Sequence, residues 1–147
     1  MKKEIQFTLD SPDSNVYEKI ITFWEERGFT FTEKNKNYLI GNRGNIIHNL
    51  YTFKMQKLDT KVSIKISNNE INTTLDINTM FQMITAANKR YWELELQTYK
   101  SAILNNDYRE DDWIDFKQQQ NKSNIGWTLL FAFIGFISGL IFIFLFL

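Results

Sequence analysis

Hydrophobic and polar positions in the N-terminal two-thirds of the chain fall into short, well-separated patterns. Ile5, Phe7 and Leu9 alternate with Glu4, Gln6 and Thr8, which is the period of a strand with one buried face. Residues 10–14 (Asp-Ser-Pro-Asp-Ser) make a turn that also offers helix caps. Val16, Ile20, Phe23 and Trp24, widened by Tyr17 and Ile21, then form the apolar stripe of a helix, and Gly28 stands where a left-handed residue stops it. Phe29 and Phe31 begin a strand, residues 34–37 (Lys-Asn-Lys-Asn) read as a polar hairpin turn, and Tyr38, Leu39 and Ile40 open the next strand.

Residues 41–45 (Gly-Asn-Arg-Gly-Asn) make a further break. Ile47, Tyr51, Phe53 and Met55 then recur mostly at period two, which predicts another strand, with Asn49 its one polar interruption. After a turn at residues 57–60, Val62, Ile64 and Ile66 alternate with Lys61, Ser63 and Lys65. Residues 67–70 turn again, and Ile71, Thr73, Leu75 and Ile77 continue the alternation, with an extension toward Phe81 and Met83. Thr85 caps a second helix whose stripe is Trp92, Leu96, Tyr99 and Ile103, widened by Tyr91 and Leu94, ending near Asn105 and Asn106.

The element order is strand, helix, a run of four or five strands, helix. Short turns between the strands require antiparallel pairing, and one apolar face per strand lets both helices pack on the same side of the sheet. The expected fold is therefore an α+β domain in β-α-β4-α order over residues 1–106, with the opposite sheet face polar. That order is similar to helix-grip and TATA-binding-like folds, a likeness of topology that carries no function.

Residues 127–147 depart from all of this. The run Trp-Thr-Leu-Leu-Phe-Ala-Phe-Ile-Gly-Phe-Ile-Ser-Gly-Leu-Ile-Phe-Ile-Phe-Leu-Phe-Leu is without charge, and no charged residue occurs from Ser123 onward. As a helix it would be about 31 Å long, close to the hydrocarbon thickness of a bilayer. A helix apolar on every side needs either lipid or a much larger protein around it, so residues 126–147 are expected to span a membrane. Residues 107–125, polar and acid-rich with Trp113, Ile114 and Phe116 as the apolar break, are expected to be a juxtamembrane linker.

Flanking charge sets the expected orientation. Lys117 and Lys122 precede the run and no cation follows it, so the positive-inside rule keeps the N-terminal domain in the cytoplasm. The stretch at Met1 has lysines but no apolar core, so no secretory signal is expected there. Trp127 is placed as an interfacial anchor. Gly135 and Gly139, with Ser138 beside them, have the small-xxx-small spacing that lets two membrane helices approach closely.

Composition narrows the chemistry. The chain has 17 basic and 17 acidic residues, so no bulk basicity favours nucleic acid. With no cysteine, disulfides, thiolate metal sites and cysteine nucleophiles are excluded.

Candidate sites are few. His48, the single histidine, would share a face with Leu50, Thr52, Lys54 and Gln56, opposite the apolar set, and no serine or carboxylate is spaced to work with it. Zinc would need more His or Cys ligands than the chain has. Arg43 and the backbone of residues 41–45 could converge on an anion, but the segment lacks phosphate-loop spacing and is explained by a tight turn. The acidic stretch at residues 109–115 lacks a calcium-loop pattern and reads as solvated linker, or as a short interfacial turn. A polar sheet face bearing Thr52, Lys54, Gln56, Lys61, Ser63, Lys65, Asn72, Thr74 and Asp76 could meet an acidic partner or anionic lipid. No catalytic, cofactor or metal site emerges.

These observations lead to one expectation and an alternative. The expectation is a non-enzymatic, membrane-tethered interaction module at the cytoplasmic face, with the lipid bilayer, a protein partner or a second copy as its partners and without nucleic acid, metal or cofactor. The alternative is a domain binding a small apolar ligand or lipid at the membrane surface, in a cavity between the sheet and the second helix.

Overall fold

The computed structural model of the protein describes residues 1–10, 15–50, 52 and 54–105, with the backbone alone described at His48. Strands β1 (Lys2–Thr8), β2 (Thr30–Asn35), β3 (Tyr38–Arg43), β4 (Thr60–Ser67) and β5 (Glu70–Ile77) form a five-stranded antiparallel sheet in the order β1-β5-β4-β3-β2. Helix α1 (Val16–Glu25) joins the two edge strands. A short helix α2 (Ile46–Asn49) and a 3₁₀ turn (Met55–Lys57) lie between β3 and β4, and the long helix α3 (Ala86–Asn105) follows β5. The domain is α+β, as the alternation of its strands and the stripes of its two long helices require.

Local chemistry explains the boundaries. Helix α1 stops at Gly28 (φ +81°), where Phe29 N donates to Trp24 O and Gly28 N to Glu25 O, the paired bonds of a left-handed C-terminal cap. Thr85 opens α3 through a reciprocal cap: Asn88 N donates to Thr85 Oγ1 at 3.3 Å and Thr85 N to Asn88 Oδ1 at 2.8 Å. The β4–β5 hairpin turns on Asn68 and Asn69, both at positive φ, the conformation that matches the twist of the paired strands.

Both long helices pack on one face of the sheet, and Tyr99 of α3 shows how. Its ring lies 5.6 Å from Phe7 of β1, 5.1 Å from Phe23 and 5.2 Å from Trp24 of α1, and its hydroxyl accepts from Thr73 Oγ1 of β5. Burial pushes its phenol well above the usual tyrosine range, so it stays neutral. Leu39, Val62, Ile64, Ile71, Leu75 and Ile77 supply the sheet side of the same core.

The opposite sheet face is polar and of mixed sign. Lys2 pairs with Glu4, Gln6 bonds Glu70, and Lys61 stands opposite Asp76 in register. Of the lysines expected on this face, Lys61 thus stands beside a carboxylate, while Lys65 lies between Tyr38 and Asn72.

Two sequence expectations need correction. The strand expected from Ile47 to Met55 is replaced, among the described residues, by α2 and the 3₁₀ turn, so Thr52, Lys54 and Gln56 do not belong to the sheet face. Strand β5 ends at Ile77, and Phe81 and Met83 lie beyond the sheet with their side chains exposed. The cause is the same in both places: the backbone of these loops is bonded through Asn49, Asn78 and Gln82 rather than along a strand edge.

Several expectations fall outside the described residues: the turn at 11–14, Tyr51 and Phe53, the linker 107–125 with its acidic stretch, Trp127, and the span 126–147 with Gly135, Ser138 and Gly139. Among the described residues no helix is long and apolar enough to cross a membrane.

Candidate interaction surface

Arg43 was the one cation whose surroundings suggested anion binding. By strand parity it follows Leu39 and Gly41 on the inward face, and the structure buries it beneath α3. Its Nη1 donates to Glu95 Oε1 at 2.8 Å and its Nη2 to Glu95 Oε2 at 3.2 Å, a two-pronged pair with both side chains out of solvent. Nη1 also donates to Arg27 O at 3.2 Å, just beyond the end of α1. The guanidinium stacks over Phe29 at 4.3 Å from the ring centroid. Burial alone would lower its pKa, but the Glu95 carboxylate and the Tyr91 hydroxyl outweigh that and raise it, so Arg43 remains charged.

Tyr91, one turn before Glu95, is pushed well above its usual range by burial and by that carboxylate. Arg27 lies against the Phe23 ring and donates to Phe23 O at 3.0 Å. This cluster ties α1, β3 and α3 together and is closed to any substrate.

The glycines flanking Arg43 serve packing. Gly41 lies under Phe31 and Val62, where an added Cβ would stand 3.1–3.2 Å from their side chains. Gly44 has φ +73°, and a Cβ there would fall 2.4 Å from Lys57 O. Neither opens an anion cradle. His48 belongs to α2 rather than to a strand, so the face expected for it by strand parity does not apply, and its side chain is outside the described residues. No cluster of three or more potential metal ligands occurs among the described residues.

What the structure does bring together is the pair of loops at one end of the sheet. The connection of residues 44–59 and the segment 78–85 are stitched by Asn49, whose side chain is fully buried. Asn49 Nδ2 donates to Asn78 O at 2.9 Å, and its Oδ1 accepts from Asp59 N at 3.0 Å. Gln82 Nε2 donates to Asn49 O, and Asn78 Nδ2 to Asp59 Oδ2 at 3.0 Å. With this network holding the backbones, the side chains on either side of it point away from the core: Ile46, Ile47 and Leu50 from one loop, Met80, Phe81 and Met83 from the other, from 44% to 80% exposed.

Phe81 adds a second observation. Its φ is +66°, a region bulky side chains rarely enter, at a cost of about 1 kcal/mol or more. Its side chain is 64% exposed, so burial does not offset that cost within the domain. Phe81 thus joins the five other exposed apolar side chains at this end of the domain.

Two open grooves on the described surface are not enclosed cavities. One, beside this loop end, is lined by Asp59, Lys61, Asp76 and Asn78, among others; the other lies between α1 and α3, around Phe23, Glu26 and Ile103. The space between the sheet and α3 is filled by Trp24, Tyr91, Trp92 and Tyr99, each 0% exposed.

Sequence reasoning missed both the Arg43–Glu95 pair and the loop surface. Signals for them exist. Arg43 by period two and Glu95 by its place between Trp92, Leu96 and Tyr99 are opposite charges at inward positions. The adjacent Ile46 and Ile47 cannot both face the core of a strand.

The sequence matches no family model and no curated protein.

Proposed function

We propose that this chain is a non-enzymatic, membrane-tethered interaction module, held by residues 127–147 with its α+β domain on the cytoplasmic side, and that the loop end is its interaction surface. The observation that carries the tether is the charge-free run itself, long enough for a bilayer and too apolar to be left in water. The loop surface is supported by six exposed apolar side chains on a backbone fixed by buried hydrogen bonds. Arg43, Glu95, Tyr91 and Tyr99 are buried, so these four ionisable groups serve the core rather than a surface site. The alternative, a small apolar ligand or lipid between the sheet and the second helix, is favoured less, since Trp24, Tyr91, Trp92 and Tyr99 are fully buried there.

Orientation tests this reading. A reporter active only in the cytoplasm should work when fused before Met1, and one active only outside should work when fused after Leu147, as Lys117 and Lys122 dictate. The reverse pattern would remove the cytoplasmic module.

A further inference from the structure

We infer that the loop end of the domain docks on the surface of an anionic bilayer, its apolar side chains entering the headgroup region and its cations meeting the lipid charge. This rests on the reading of that surface as the module's interaction site and names its partner. The first ground is charge. The chain as a whole is balanced at 17 against 17, yet residues 44–58 and 79–90 carry Lys54, Lys57, Lys89 and Arg90 and no Asp or Glu. All four cations are exposed. Asp59, at the end of the first loop, accepts from the neutral Asn78 amide, so four cations stand against one carboxylate there; Asp76 stands opposite Lys61 on the sheet, and Glu93 pairs with Lys3.

Exposed apolar side chains and exposed cations carried by the same two segments are the pattern of a surface that lies in the membrane interface. A second copy fits worse, since joining two such ends would bring like charges together. Phe81 supplies the second ground. A bilayer would bury the exposed ring that a backbone at positive φ holds in water.

The chain has no cysteine, so M83C and K65C each provide one thiol for a polarity-sensitive fluorophore, the first in the loop surface and the second on the polar sheet face. The full-length chain is reconstituted into vesicles of phosphatidylcholine, or of phosphatidylcholine and phosphatidylglycerol in equal parts. In the anionic vesicles the label at 83 should shift to the blue and be quenched by brominated acyl chains, while the label at 65 stays in water. High salt should reverse the shift. In the M83C background, K54S and K57S should each lower the ratio of docked to free label roughly fivefold. F81N, which suits a positive φ and so preserves the fold, should also weaken docking.

An unshifted label at 83 in anionic vesicles overturns the inference. So does a shift of equal size in phosphatidylcholine alone, or one without quenching by brominated lipid, which would mean that protein covers this end. Carbonate-resistant retention of the same samples reads the tether separately, so a failure of the anchor and a failure of the docking are distinguishable.

Discussion

Replacing Glu95 with Ala is expected to destabilise the domain by about 3–5 kcal/mol, because it strands the Arg43 guanidinium in the core. Arg43 and Glu95 are 4% and 0% exposed in their side chains, so water cannot take over the lost partner. Arg43 would keep its bond to Arg27 O and its stacking on Phe29, neither of which neutralises a charge. The double variant R43M/E95L separates two explanations. If the cost arises from an uncompensated buried charge, removing both charges for apolar groups of similar size should restore most of the stability. If the pair contributes strong net attraction, the double variant should be as unstable as the single one. Urea denaturation of the three proteins decides between them, and a loss below about 1 kcal/mol for E95A would mean that the pair is accessible to solvent.

The second large effect is expected in the sheet. Ile64 is fully buried at the centre of β4, opposite Leu39 on one side and Thr73 on the other. Ile64→Asp places an unpaired carboxylate among apolar groups and should cost about 4 kcal/mol. Lys65, the next residue, lies on the polar face and is exposed, so Lys65→Ala should change stability by about 0.5 kcal/mol or less. Equal losses in urea would contradict the assignment of faces across the whole sheet, since a one-residue shift in register exchanges them.

Most of the fold was legible because its signals are one-sided. In β4 and β5 the apolar residues all fall at every second position, with Thr60 and Thr73 the two hydroxyls in that series, so period two assigns the faces. Helix α1 carries its stripe and its stop at Gly28, and α3 carries its cap at Thr85. The loop end was not legible because its signal is a tertiary one. Ile47, Tyr51, Phe53 and Met55 imitate a strand, and Asn49 reads as a blemish in it. In the fold Asn49 is the residue that holds two loops together, bonding Asp59 N and Asn78 O across sequence separations that no local pattern reports. Gly44, with Lys57 O where a Cβ would sit, lets residues 44–58 close on themselves rather than pair along an edge.

The charged pair was half legible. Parity turns Arg43 inward and helical spacing turns Glu95 inward, but neither rule says that the two side chains meet. Distance in sequence hides such a pair until the sheet order places β3 beneath α3. The exposed apolar side chains were hidden for a related reason: hydrophobic residues are assigned to the core by default, and only a backbone held elsewhere shows that Ile47, Phe81 and Met83 cannot reach it.

Membrane fractionation of two versions of the chain separates a tethered protein from a peripheral one. The full-length chain is expressed beside one that ends at Ile125, and membranes of both are washed with high salt and then with alkaline carbonate, which strips peripheral proteins. The account predicts that the full-length chain stays in the membrane pellet through both washes. The shortened chain, left with at most the salt-sensitive docking of its loop end, should come off in the first. Release of the full-length chain by carbonate, or retention of the shortened one, would contradict it.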